Sequence, residues 1–249
     1  MSKREDKNPW FYPYEPDESA AYRLFCFPYA GGGASIFRTW QSGLGQKINI
    51  CPVQLPGREN RIGEAPFTNL LEVVDSVEKA LTPYLGLPFA FFGHSMGAKI
   101  AFELSRKLSQ KKGIEPSYLF ISGCLVPHIP EPNPICRLPK DAFIHELYRY
   151  SGTPEAVLMN AELMDFFMPL LRADFTLVET YECPKQDGKL MCPICVLGGE
   201  DDREASVEKL EAWRTYTSGC FDLRLFPGNH FFIISAQSLV LKTISTMLL

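Results

Sequence analysis

The chain is 249 residues long, 46% of them hydrophobic, with a formal net charge of -4 at pH 7. That length and composition suffice for one sizeable core, and the acidic balance argues against broad electrostatic attachment to nucleic acid or to an anionic membrane. No apolar stretch approaches a membrane span, and no apolar signal-peptide segment follows the early charges of "MSKREDKNPWFYPYEPDES", so a cytoplasmic protein is expected.

Residues 1–21 read as a polar, proline-containing lead-in, loosely ordered, with the aromatic residues Trp10, Phe11, Tyr12 and Tyr14 as anchors. Residues 22–249 read as one domain. Short apolar runs, "YRLFCF", "INICPVQL", "PFAFFG", "SYLFISG", "CPICVLGG" and "FDLRLF", alternate with helical patterns such as "LLEVVDSVEKALTPYL". This alternation predicts βαβ units: an α/β fold with a mostly parallel sheet and helices on both faces. After the first strand, "PYAGGGAS" places three consecutive glycines where backbone can approach a substrate closely, without the lysine of a P-loop. Arg58 and Arg61 of "LPGRENR" are expected to pack their stems and pair with local carboxylates.

The stretch "PFAFFGHSMGAKIAFEL" is the most informative. Phe89 to Phe92 form a buried-strand pattern, and after Ser95 the apolar residues Ile100, Ala101, Leu104 and Leu108 follow helical spacing up to Gly113. Ser95 therefore sits on a tight strand-to-helix turn, with Gly93 and Gly97 supplying neighbours that lack a Cβ. This is the G-x-S-x-G nucleophile elbow.

Between "SYLFISG" and "CPICVLGG" lie about seventy residues, too many for an ordinary crossover. Roughly residues 128–182 are expected to form a helical insertion over the carboxyl ends of the strands. Leu163, Met164, Phe166, Phe167, Leu170 and Leu171 are expected to roof an acyl channel there. The eight cysteines are irregularly spaced and read as small buried hydrophobes with free thiols. Cys192 and Cys195 fall in a predicted strand with no second ligand pair at suitable spacing, so neither zinc nor a redox dithiol is expected, and no cofactor.

A serine hydroxyl needs a base, and the base needs an orienting group. His94 adjoins Ser95 and cannot easily fold back onto it; His128 and His145 fall in the insertion. His230, in "PGNHFFI" after the last predicted strand, is the base by elimination. The nucleophile–acid–histidine order then asks for a carboxylate between Ser95 and His230, and "VLGGEDDRE" offers Asp201 or Asp202, of which Asp202 is chosen. The oxyanion donors are assigned to the backbone N–H groups of Met96, after the nucleophile, and Ala30, in the glycine-rich loop.

With these residues in place, the chain resembles the type II thioesterases, stand-alone α/β-hydrolases that serve nonribosomal peptide and polyketide synthases. It also resembles their relative, the medium-chain acyl thioesterase of animal fatty acid synthase. "CFPYAGGGAS", "LPGRENR", "FFGHSMGAKIAFEL", "GTPEAVLMNAELMDFFMPLLRADFTLVETY", "GGEDD" and "PGNHFFI" carry the resemblance, from about residue 22 onward. The family triad falls on Ser95, Asp202 and His230, with a register ending at Asp201 also allowed by Gly198 and Gly199. The resemblance implies hydrolysis of acyl groups from the phosphopantetheine thiol of acyl or peptidyl carrier domains, by editing or by product release. It implies no nucleic-acid or membrane partner, and a monomer is expected. A carboxylesterase or acyltransferase with the same triad, and an inactive carrier-binding module, are the competing readings.

Overall fold

Successive side chains of a strand point to opposite faces, so a run that is apolar throughout is buried only between two covering layers. The computed structural model describes residues 8–11, 13, 16–17, 19–150, 152, 155–183 and 188–249. It meets that demand with a six-stranded sheet in which every pairing is parallel. The strands are β1 (Tyr22–Phe27), β2 (Ile48–Pro52), β3 (Phe89–His94), β4 (Tyr118–Ser122), β5 (Ile194–Gly199) and β6 (Phe221–Phe226), in the order β2-β1-β3-β4-β5-β6. The helices are α1 (Trp40–Leu44), α2 (Leu70–Leu81), α3 (Met96–Lys112), α4 (Lys140–Tyr150), α5 (Glu155–Leu158), α6 (Ala161–Glu179), α7 (Val207–Glu211), α8 (Phe232–Ser235) and α9 (Gln237–Leu248).

The two layers divide the strand residues by parity. Phe25, Phe91, Leu119, Ile121 and Val196 pack in one cluster with residues of α2 and α3, while Leu24, Phe92, Phe120 and Leu197 pack in another with α1 and α9. Local signals set the helix limits. The Asn69 side chain accepts hydrogen bonds from Leu71 N and Glu72 N at the start of α2, and Gly113, at φ +63°, closes α3.

The strand order places a topological switch between β1 and β3. From β1 the chain runs outward to edge strand β2 and then returns past β1 to β3, so the loops leaving β1 and β3 diverge and open a crevice at their carboxyl ends. The segment between the directly paired strands β4 and β5 carries α4, α5 and α6 and has its own small core of Ile135, Phe143, Leu147, Leu158, Met164 and Leu171.

Two expectations are corrected, and one anchor in the lead-in is seated: Phe11 is 1% exposed, with its ring 5.7 Å from that of Phe25 and 5.3 Å from that of Tyr84. Burial of one aromatic side chain offsets the ordering of the short segment that carries it. Tyr12 and Tyr14 lie outside the described residues. Cys192 precedes β5, because Pro193 breaks the ladder before the strand begins at Ile194. The first long helix stops at Leu81, and a 3₁₀ turn containing Pro83 follows at Thr82–Tyr84.

Candidate active site

Ser95 stands between β3 and α3 at φ +53°, ψ -114°, a conformation that costs a non-glycine residue about 1–3 kcal/mol. The surroundings hold it there. Ser95 N donates to Ser122 O at 2.8 Å, and backbone crowds both flanking glycines. A Cβ on Gly93 would lie 2.2 Å from Gly97 O, and one on Gly97 would lie 2.1 Å from Phe27 O. Met96 N, at the positive end of α3, and Ala30 N, in the loop after β1, find no acceptor among the described residues.

His230 and Asp202 come from loops after β6 and β5, at the same end of the sheet. His230 Nδ1 and Asp202 Oδ2 are 2.8 Å apart and largely buried, and the other carboxylate oxygen accepts from Glu204 N at 2.9 Å and Ala205 N at 3.3 Å. The carboxylate can only accept, so Nδ1 carries the proton and Nε2 is the basic nitrogen. Asp201 is exposed and its N–H donates to Gly228 O at 3.0 Å, so the bond to the histidine falls on Asp202. Ser95 and His230 line the same cleft, and no hydrogen bond joins their side chains.

His94, set aside in the sequence, is a neighbour of His230. It is fully buried, its ring centroid is 4.9 Å from that of His230, and its Nδ1 is 2.9 Å from Ser122 Oγ. Gly123, at φ +56°, makes room for both imidazoles: a Cβ there would lie 2.9 Å from His94 Cε1 and 3.2 Å from His230 Cε1. Burial, and then the charge of His230, hold His94 well below the usual histidine range. The unfolded chain therefore takes up a proton near pH 6.5 that the folded chain refuses, and stability is lost as the pH falls below that value. The wild type is expected to lose more Tm between pH 7 and pH 5 than His94→Asn. Equal acid losses, measured by thermal denaturation, would contradict this.

Above Ser95 and Met96 the cleft has a cavity of about 70 Å³, walled by Leu147, Tyr150, Leu171, Phe175, Val178 and Phe231. Of the six residues expected to roof it, only Leu171 does so. Leu163 and Phe166 are 39% and 60% exposed, and Met164 is buried in the core of the helical segment. The lining face of α6 is the stripe Leu171, Phe175 and Val178, at i, i+4 and i+7, further along the helix than the expected set.

One buried ion pair at the site went unread in the sequence. Arg58 Nη1 and Nη2 donate to Asp174 Oδ2 and Oδ1 at 2.8 and 2.7 Å, Arg58 Nη1 also donates to Gly32 O at 3.0 Å, and Asp174 Oδ2 accepts from Gly31 N at 2.7 Å. Asp174 is on α6, so the pair staples that helix to the glycine-rich loop bearing Ala30. Arg58 does pair with a carboxylate, as expected, but one distant in sequence. Arg61 pairs locally, with Glu64. An acid among Leu170, Leu171 and Leu177 on an inward helix face was the available signal, since a carboxylate is buried only with a partner.

Cys192 and Cys195 form no disulfide, and burial pushes each thiol up to about 12, which leaves them protonated and unreactive. Among the described residues no group of three His, Cys, Asp or Glu side chains could hold a metal ion, and no helix is long and apolar enough to cross a membrane.

Residues 22–248 match the family model described as "Thioesterase domain". The chain is 45% identical over 231 residues to the gramicidin S biosynthesis protein GrsT of Aneurinibacillus migulanus, covering 92% of this chain and 90% of that protein. It is 34% identical to the medium-chain S-acyl fatty acid synthase thioesterase of Homo sapiens, covering 86% of this chain and 82% of that one. Among solved structures it resembles the thioesterase RedJ from the prodiginine pathway of Streptomyces coelicolor, with a TM-score of 0.87, 37% identity and coverage of 92% and 91%. The sheet and its helices are those of the α/β-hydrolase fold shared by such thioesterases.

Proposed function

The chain belongs to the thioesterase family, and we propose that it hydrolyses acyl groups from the phosphopantetheine thiol of acyl or peptidyl carrier domains through an acyl-enzyme on Ser95. The observation that carries this reading is the Asp202–His230 pair, bonded at 2.8 Å and facing the same cleft as a serine on a strained elbow. Carrier-borne substrates are supported by relatives named for peptide antibiotic and fatty acid synthesis. The service is either editing of stalled units or release of a product.

In the first half-reaction His230 Nε2 takes the proton of Ser95 Oγ as the oxygen attacks the thioester carbonyl carbon. Asp202 keeps Nδ1–H in place and stabilises the imidazolium that forms. The carbonyl oxygen, now negative, is met by the N–H groups of Met96 and Ala30, both without another acceptor. Collapse breaks the C–S bond, and the departing sulfur takes the proton from His230. A water then attacks the acyl-serine ester and gives its proton to His230. The acid is released and Ser95 regains its hydrogen.

Because only the residue bonded to Nδ1 sets the tautomer, Asp202→Asn is expected to lower kcat by roughly 10⁴-fold, the size of the corresponding loss in serine proteases. Asp201→Asn should stay within about tenfold of wild type, since the exposed Asp201 side chain is not bonded to His230. The reverse ranking would move the acid to Asp201. The substrate class is tested by comparing kcat/KM for one acyl group on a carrier domain, on free pantetheine and as a matched oxygen ester. Preference for the oxygen ester would defeat the reading.

A further inference from the structure

From the Ser95–His230 centre the cleft divides. One branch runs under the helical segment past Tyr29, Ala30, Gly152 and Phe231, residues that are partly exposed and so mark its mouth. The other is a chamber of about 50 Å³ beside Ser95, lined by the buried residues Lys99, Cys124, Leu125 and Ala205 and by the partly buried Ile129, Glu131, Tyr150, Val178 and Glu204. A phosphopantetheine arm has to reach the surface, where its carrier is, and so takes the first branch. The acyl end is left with the chamber beside Lys99.

That chamber is polar where an alkyl chain would want it apolar. Lys99 stands in the first turn of α3, four residues after Ser95, and lines the chamber together with it. Lys99 is only 7% exposed, lines the chamber, and donates no hydrogen bond and makes no ion pair within 4.0 Å among the described residues. Glu131 lines both branches and likewise has no hydrogen-bond partner there. Burial raises the Glu131 carboxyl from its usual range, and the charge of Lys99 opposes that rise. An ammonium has three donors and no acceptor, so its complement in the chamber is an occupant with an acceptor. Glu204 is paired with Arg149, but Glu131 already presents a carboxylate to the chamber, which selects a neutral acceptor over a second carboxylate.

We propose that this chamber is the acyl subsite and that Lys99 makes it select short acyl groups with a hydroxyl or oxo oxygen near the third carbon over plain alkyl chains of equal length. The inference rests on the reading of Ser95 as nucleophile. An alkyl group would strip water from Lys99 and Glu131 and return no hydrogen bond, whereas a hydroxyl or oxo oxygen accepts one from Nζ.

The test is kcat/KM of the full chain on pantetheine thioesters of butanoyl, 3-hydroxybutanoyl, 3-oxobutanoyl and succinyl groups, in wild type, Lys99→Met and Lys99→Gln. Wild type is expected to favour the hydroxy and oxo substrates over butanoyl by about tenfold or more, the worth of a hydrogen bond to a charged group. In Lys99→Met that ratio should collapse toward one, with butanoyl turnover rising. In Lys99→Gln, which keeps a neutral donor, the ratio should be intermediate. A uniform loss on all four substrates would place the pantetheine arm against Lys99 and overturn the proposal, and a wild-type preference for succinyl would overturn the neutral-acceptor assignment. Ser95→Ala, run in parallel, separates the two readings. If it abolishes turnover while the ratios ignore Lys99, the subsite alone fails; if it stays active, the site itself is misread.

Discussion

Ser95→Ala is expected to lower kcat on acyl-pantetheine thioesters by roughly 10⁴- to 10⁶-fold, as loss of the nucleophile does in other serine hydrolases, while leaving the fold intact. The hydroxyl makes no hydrogen bond with any described residue, so its removal leaves no buried partner unsatisfied, and alanine keeps the Cβ that the elbow already accommodates. The elbow is held by backbone: Ser95 N on Ser122 O, and the contact of Gly93 and Gly97 with carbonyl oxygens. Thermal denaturation should give a Tm within a few degrees of wild type. Near-normal turnover by a folded variant would end the assignment.

The second large effect is expected at the Arg58–Asp174 pair. Both side chains are buried, at 4% and 1% exposure, and removal of one partner leaves the other charge in the interior without compensation. For such a pair the cost is about 3–5 kcal/mol, which in a chain of this size lowers Tm by roughly 10 °C or more. Asp174→Ala should also slow chemistry more than it weakens binding, because Gly31 N loses its acceptor and the neighbouring Ala30 N–H is no longer aimed. The double variant Arg58→Met, Asp174→Leu should recover much of the stability lost by either single change without recovering kcat. Additive losses in that cycle, or a kcat that returns with stability, would show that the pair does not position the loop.

What could be read in the sequence follows from which interactions are local. The elbow was legible because a strand pattern, two glycines and a helix pattern are contiguous around Ser95, and the sheet because each strand's burial is written in its own apolar run. His230 was legible from element order alone. The acid was ambiguous between Asp201 and Asp202 because a turn has no periodicity to fix register. It is the turn closed by Asp202 N on Gly199 O, at 3.2 Å, that presents the second carboxylate inward. The Arg58–Asp174 staple links residues 116 positions apart, and nothing in either neighbourhood names the other. The roof was misjudged for a related reason. The apolar residues of α6 were legible, and only the docking of the helix onto the body decides that Leu171, Phe175 and Val178 face the cleft while Phe166 faces out. Phe11 was legible as an anchor from the composition of the lead-in, but its partners Phe25 and Tyr84 were not, because they come from distant elements.

The most direct measurement of the central claim is titration of the full-length protein with an alkyl fluorophosphonate, with residual thioesterase activity and peptide mass mapping followed on the same samples. Activity is expected to fall in proportion to label, reaching zero at one equivalent, with the label on the peptide containing Ser95. Full inactivation without modification of Ser95, or retained thioester hydrolysis with Ser95 fully labelled, would contradict the account.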